Sequence, residues 1–158
     1  MNPIHEKLVM VPDPRLRQMC AEVTKEDEDL TELVGLMVEV MEVLRGSGIS
    51  TSSIAAPQVG VMKRLFIIFS PAVEIVAINP VITKATGEQN SREGCLSFPK
   101  GVKYLVPRPK IVKFHYQDLA GNTHTSKFHD LYAAIVMHEN DHLNGVLMDD
   151  NGTPLYGR

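Results

Sequence analysis

Tryptophan is absent from this chain of 158 residues, cysteine occurs twice, and aromatic residues make up only 6% of it. Two thiols, Cys20 and Cys95, allow one disulfide at most, too few for an extracellular scaffold held by cross-links. A cysteine that stands alone near histidines more often serves as a metal ligand or nucleophile, so a reducing, cytoplasmic compartment is expected. Long apolar runs are missing too. None reaches the roughly 20 residues that a bilayer-spanning helix needs, and Glu6 and Lys7 stand where a signal peptide would be apolar. Clusters of Lys and Arg are also lacking, and 16 basic against 19 acidic residues leave a net charge of −3. That balance argues against nucleic acid or a membrane surface as a partner.

What is present suits one folded domain over residues 1–158. A hydrophobic fraction of 44% with 22% charged residues is that of an ordinary globular chain. Val11-Pro12-Asp13-Pro14 reads as a turn. The acidic stretch Thr24 to Asp29 suits a helix start, and Leu30, Leu33, Val34, Met37, Met41 and Leu44 then repeat at helical spacing. That N-terminal amphipathic helix should end near Gly46-Ser47-Gly48. Pro57 rules out a long helix through Ile54 to Gln58. Arg64 to Phe69 and Val73 to Ile78 are β-branched and apolar, two strands about a turn at Ser70-Pro71. Lys84 to Arg92 reads as polar loop, and a second loop runs through Pro99, Pro107 and Pro109. Lys110 to Gln117 and Thr123 to Phe128 form a hairpin around Asp118 to Asn122. A helix follows with Asp130 as N-cap, and residues from about 151 to 158 form an irregular tail. The class is α+β: short antiparallel sheets packed around a central helix.

That late helix carries the chemistry. His138-Glu139-Asn140-Asp141-His142 has the H-E-x-x-H spacing, which puts two imidazoles on one helical face one turn apart. One divalent metal can take both rings, with Glu139 placed to handle a water on that metal. Leu131, Ala134 and Ile135 precede His138 at helical spacing, so the ligand-bearing face should be buried. A core helix with two solvated histidines is the plainer alternative. No His or Glu follows His142, and Met148 stands where the longer H-E-x-x-H-x-x-G-x-x-H protease pattern has its last His. Asp149 and Asp150 lie too close after the helix to reach back. The third ligand should therefore come from upstream, and Cys95, with Gly94 before it, is the strongest choice. Cys20 looks like simple packing. His5, His115, His124 and His129 fit no ligand spacing.

Three segments, Ser53-Ile54-Ala55-Ala56-Pro57-Gln58, Glu93-Gly94-Cys95-Leu96-Ser97 and His138-Glu139-Asn140-Asp141-His142-Leu143, resemble in order and spacing the motifs of the peptide deformylase family. Pro12-Asp13 with Arg15-Leu16-Arg17, Asn79-Pro80, Val106-Pro107-Arg108 and Asn144-Gly145-Val146-Leu147 extend the likeness over residues 9–150. The resemblance implies hydrolysis of the N-formyl group from formyl-methionine on nascent chains, in the cytoplasm of a bacterial or phage-infected bacterial cell. It implies one divalent ion on Cys95, His138 and His142, Fe(II) natively with Zn, Ni or Co as substitutes, and an oxygen-sensitive site. Glu139 would be the general base, and Gln58 with the Leu96 N–H would bind the oxyanion. The peptide would add as a strand beside Thr51, Ser52, Ser53 and Ile54 on one side and Gly94 on the other. Its methionine would face Ala134, Ile135 and the stem of Glu93, with Arg108 as counter-charge to Glu93.

The chain also departs from the family pattern. G-x-G-x-A-A-P-Q becomes Thr51-x-Ser53-x-A-A-P-Q, and two hydroxyl side chains there should alter kinetics without removing a bond-making group. Met137 stands where members often have Gln. Only eight residues follow Asp150, including Gly152, Pro154 and Gly157, so the terminal helix that docks many bacterial members on the ribosome is not expected. Two other readings stand beside this one: a small metalloprotease, disfavoured by the missing downstream ligand, and a degenerate relative that binds metal or a partner without catalysis.

Overall fold

The computed structural model describes residues 6–27 and 30–156. His5, residues 28–29 of the acidic helix start, and residues 157–158 of the tail lie outside the described residues. The architecture is α+β. A five-stranded antiparallel sheet has the order β1 (Ser53–Ala55), β2 (Leu65–Phe69), β3 (Glu74–Thr86), β6 (Ile111–Gln117), β7 (Thr123–His129). A three-stranded sheet has the order β4 (Gln89–Glu93), β5 (Tyr104–Arg108), β8 (Thr153–Pro154). Among the described residues three α-helices accompany them: α1 (Leu30–Gly46), α2 (Asp130–Leu143) and the single turn α3 (Met148–Asn151). None of the described helices is long and apolar enough to cross a membrane.

The five-stranded sheet is covered on both faces where it matters for the site. Strand alternation sends Leu65 and Ile67 of β2 to a cluster with Met37, Val40, Met41 and Leu44 of α1. Phe66 and Ile68 go to the opposite cluster, with Ala133, Val136 and Leu143 of α2. This is why β2 reads as an unbroken apolar run rather than an alternating one. The same alternation splits β1, with Ile54 against α1 and Ala55 against α2. A hydrogen-bonded stop ends α1: Gly48, at φ 84, donates to Arg45 O at 3.0 Å, and Ile49 N–H reaches Leu44 O at 2.9 Å.

Several expectations need correction. Lys84 to Arg92 is not a loop, because β3 runs on to Thr86 and β4 occupies Gln89–Glu93. These are polar, exposed strand ends held by backbone ladders, so they carry no apolar alternation. The proline loop contains β5, with Pro107 inside it. Pro107 is tolerated because β8 pairs only with Tyr104 and Leu105, leaving that side of β5 open. His129, not Asp130, holds the N-cap position of α2 and makes no side-chain capping bond. Leu131 is 65% exposed, on the side of the first turn away from Tyr132 and Ala133, which pack in the sheet cluster. The tail is ordered through β8, and Leu155 N–H donates to Lys103 O at 2.9 Å.

Candidate metal centre

The C-terminal half of α2 is fixed more firmly than a helix end in solvent. Leu143 O accepts from Arg64 Nη1 at 2.9 Å and from Cys20 N–H at 2.9 Å, and Arg64 Nη2 reaches Asn144 Oδ1 at 2.9 Å. Gly145 follows at φ 72, and a β-carbon there would lie 2.6 Å from the Arg17 backbone, so only glycine lets the chain pass. Asp149 and Asp150 pair with Arg17 at 2.9 and 3.0 Å and are occupied in holding α3. Neither turns toward the histidines as a ligand would.

β4 ends at Glu93 and delivers Gly94 and Cys95 opposite that half-helix. One ligand atom each from Cys95, His138 and His142 falls within 4.8 Å of the others, and Cys95 Sγ lies 3.4 Å from His142 Nε2. Tetrahedral coordination with bonds of about 2.0–2.3 Å sets its donors about 3.3–3.8 Å apart. The donor set, one thiolate and two imidazoles, suits a single Zn or Fe(II) ion. Both cysteines are free thiols; Cys20 is buried, and burial raises its pKa against the nearby Arg64 charge.

Second partners hold the ligands in place. His138 Nδ1 meets Glu93 Oε1 at 2.8 Å, which leaves its Nε2 for the metal. Arg108 Nε and Nη2 grip both Glu93 oxygens at 2.9 and 2.8 Å, and Arg108 Nη1 reaches Asp141 Oδ2 at 2.6 Å. Arg108 is thus the expected counter-charge to Glu93, and it is buried. Burial alone would raise the Glu93 pKa, but hydrogen bonds from Arg108 and His138 bring it down to about 2. Burial works against charge on His138 as well, yet its bonds to Cys95 and Glu93 carry its pKa well above the ordinary value. For His142 burial prevails and the ring is held neutral, the form that binds metal. Asp141 and the carboxylate end of Glu93 were not legible as ligand supports. In the motif Asp141 counts as a spacer, though an acid three residues after His138 shares its helical face.

Glu139 is 1% exposed, and burial pushes its pKa up to about 7 against the opposing pull of the neighbouring His138 charge. Its Oε1 is buried without a partner among the described residues. Gln58, also buried, is oriented by Ala55 N–H, which donates to its Oε1 at 2.9 Å. Its amide nitrogen faces Ser97 Oγ at 3.1 Å and Cys95 Sγ at 3.7 Å. Ser97 was not singled out from the sequence. Leu96 stands beside Cys95 and packs toward the α1 cluster. β1 is an edge strand; Ser53 at its start and Thr51 and Ser52 just before it are half-buried, while Gly94 is exposed. Ala134 is buried and Ile135 half-buried, one turn before His138 and Glu139. His115, His124 and His129 are exposed, away from this cluster.

The polypeptide deformylase family model matches residues 5–156. A curated relative, the peptide deformylase of Clostridium botulinum, is 42% identical over 141 residues, covering 89% of this chain and 92% of the relative. The crystal structure of peptide deformylase from Thermotoga maritima superposes with a TM-score of 0.84 at 34% identity, covering 93% of this chain and 97% of that one. The peptide deformylase of Synechococcus elongatus, solved in complex with actinonin, gives 0.83 at 36% identity, covering 92% of this chain and 77% of that one. A ligand cluster of this chemistry, on a fold and sequence shared over nearly the whole length, places the chain in the polypeptide deformylase family, hydrolases that remove the N-formyl group from newly made polypeptides.

Proposed function

We propose that Cys95, His138 and His142 hold one divalent ion, Fe(II) in the cell and replaceable by Zn, Ni or Co, and that Glu139 moves the proton. When bound, the ion would supply Lewis acidity. Glu139 takes a proton from the attacking water as the formyl carbon becomes tetrahedral, then gives it to the departing amine. A raised pKa near neutrality suits both halves of that transfer. The Gln58 amide and the Leu96 N–H donate to the oxygen that gains charge, and Gln58 is already oriented for this by Ala55. Formate and a free amino terminus leave.

The formylated nascent chain lies along the edge of β1 at Thr51 to Ile54 and against Gly94, joined through backbone hydrogen bonds that ignore sequence. Its methionine packs on Ala134, Ile135 and the Glu93 stem. Catalysis takes place in the cytoplasm, where formylated chains emerge, and the net charge of −3 gives neither nucleic acid nor an anionic membrane a role. We assign no ribosome contact to residues 153–155, because they are already paired with β5 and Lys103.

The observation that carries this reading is one cysteine sulfur and two imidazole nitrogens gathered within 4.8 Å of one another beside the buried Glu139 carboxyl group. The test is formate release from formyl-Met-Ala by protein purified under nitrogen and loaded with Fe(II) or Ni(II), beside Glu139→Ala. Activity in the parent and a loss of about 100-fold or more in the variant, with metal retained, is the expected result. Cleavage of internal bonds in blocked peptides would instead revive the metalloprotease reading.

A further inference from the structure

A second cavity site lies on the side of α2 away from the ligand cluster. It has a volume of about 320 Å³, and its lining includes Asn140 of α2 but none of Cys95, His138 and His142. A break in β3 shapes it. The register between β3 and β6 shifts between Ile78 and Val81, and Asn79 sits there at φ 50, a conformation asparagine tolerates. Asn79 uses both ends of its amide on a neighbouring segment: Oδ1 accepts from Val23 N–H at 2.8 Å, and Nδ2 donates to Val23 O at 2.8 Å. That clasp holds the adjoining Glu22 at the cavity rim.

Three polar groups border this cavity with bonding capacity to spare. Asn140 is 9% exposed, and its side-chain amide makes no hydrogen bond among the described residues. It stands two positions from each ligand histidine, so it points to the opposite side of α2. A buried amide without a partner is costly, and the cavity is the space from which a partner would come. Arg64 anchors two nitrogens, Nη1 on Leu143 O and Nη2 on Asn144 Oδ1, both at 2.9 Å. A guanidinium carries five N–H donors, so Nε and one hydrogen on each Nη remain. Among the described residues no carboxylate pairs with Arg64 and no cation pairs with Glu22, so two opposite charges line one cavity without meeting. The rest of the lining is apolar at Pro80, Val81 and Ile82, and Val81 is 58% exposed.

We propose that this cavity binds a small zwitterion with an aliphatic body, an α-amino acid of the leucine kind. Its carboxylate pairs with Arg64 and accepts from the Asn140 amide, its ammonium pairs with Glu22, and its side chain covers Pro80, Val81 and Ile82. A ligand carrying both signs suits charges held apart in this way, whereas a simple anion would meet Glu22 and a simple cation would meet Arg64. A volume of about 320 Å³ is at the small end of ligand pockets, which suits a single amino acid. The site uses neither the metal nor Glu139, so it stands or falls independently of the catalytic reading.

The test titrates L-leucine into the Zn(II)-loaded full chain labelled with nitrogen-15. The backbone amides of Asn79, Val81, Ile82 and Asn140 should shift saturably, with half-saturation at about 1 mM, while those of Gly94, Cys95 and Leu96 stay in place. 4-Methylpentanoate, which lacks the ammonium, and isoamylamine, which lacks the carboxylate, should each bind at least about tenfold more weakly. Glu22→Gln, a change on an exposed side chain, should weaken L-leucine about tenfold and leave 4-methylpentanoate as in the parent. No saturable shift at the cavity amides up to about 50 mM, equal binding of the three compounds, or unchanged L-leucine binding in Glu22→Gln would each overturn the proposal. Shifts centred on Gly94, Cys95 and Leu96 would overturn it too, by placing the amino acid on the metal.

Discussion

Two histidine–carboxylate pairs in this chain have nearly the same length and opposite settings. His124 Nε2 lies 2.6 Å from Asp118 Oδ2 at the tip of the β6–β7 hairpin, with side chains 45% and 31% exposed. His138 Nδ1 lies 2.8 Å from Glu93 Oε1, with side chains 14% and 8% exposed. The hairpin carboxylate serves the turn: Asp118 Oδ1 accepts from Ala120 and Asn122 N–H at 2.9 Å each. The buried carboxylate is one link in a run from Asp141 through Arg108 and Glu93 to His138 and the ligand cluster. Pair geometry alone therefore does not separate a functional histidine from a surface one. What separates them is removal from water and a further partner on each side, because the same charges interact far more strongly where solvent cannot screen them.

The sharpest way to break this contrast is Glu93→Ala. Arg108 would be left buried with only Asp141, and losing one member of a buried pair costs about 3–5 kcal/mol. Urea unfolding of the metal-free protein measures this. His138 would also lose the group that fixes its ring, and metal affinity should fall about 10–100-fold by competition with a chelator. A change below about 1 kcal/mol would mean that the buried run behaves like a surface pair.

pH divides the buried carboxylates from one another. Glu93 has a lowered pKa of about 2, so its contribution to stability is complete above the unfolded value and is lost as pH falls through about 2. Glu139 has a raised pKa of about 7, so its contribution is complete below the unfolded value and is lost as pH rises through about 7. A difference of this size between folded and unfolded states corresponds to about 3 kcal/mol. In metal-free protein the unfolding free energy should decline between pH 5 and 8, and Glu139→Gln should flatten that decline. An equal slope in both proteins would show that Glu139 folds in its ionised form.

Asp141→Ala comes next in size. Arg108 keeps both bonds to Glu93, and Asp141 is partly open to solvent, so the loss should be near 1.5 kcal/mol. If it equalled the loss in Glu93→Ala, the two carboxylates would be equivalent partners of Arg108 rather than a principal and an outer one.

How much of this was legible depends on which force holds each part. The α1 stripe from Leu30 to Leu44 and the strands at Leu65–Phe69 and Ile111–Gln117 are held by apolar burial, and burial writes a period into the sequence. His138 and His142 were legible because one metal imposes a fixed spacing on a helix. Cys95 comes from another sheet, and its place emerged from elimination of downstream ligands and from the motif around it. Strands β4 and β8 and the end of β3 are held by backbone hydrogen bonds with polar side chains outward, which leaves no such mark. The roles of Asp141 and Ser97 are relations between distant segments, Asp141 with Arg108 of β5 and Ser97 with Gln58, set only once the chain has folded.

The smallest expected effect is the control that gives the others meaning. His124→Ala removes an exposed partner from Asp118, whose pKa is lowered mainly by that hydrogen bond and then by the Asn122 N–H. The backbone donors of Ala120 and Asn122 remain, so the turn keeps its shape, and water replaces the ring at the second oxygen. The ring also covers the buried Tyr116 at a centroid distance of 5.4 Å, so a loss of about 0.5 kcal/mol from that stacking is the whole effect expected. Metal content and formate release should match the parent at both low and high salt, and the small stability loss should be the same at both. A loss comparable to that of Asp141→Ala would show that the hairpin tip contributes as the buried run does, and exposure would no longer distinguish the two pairs.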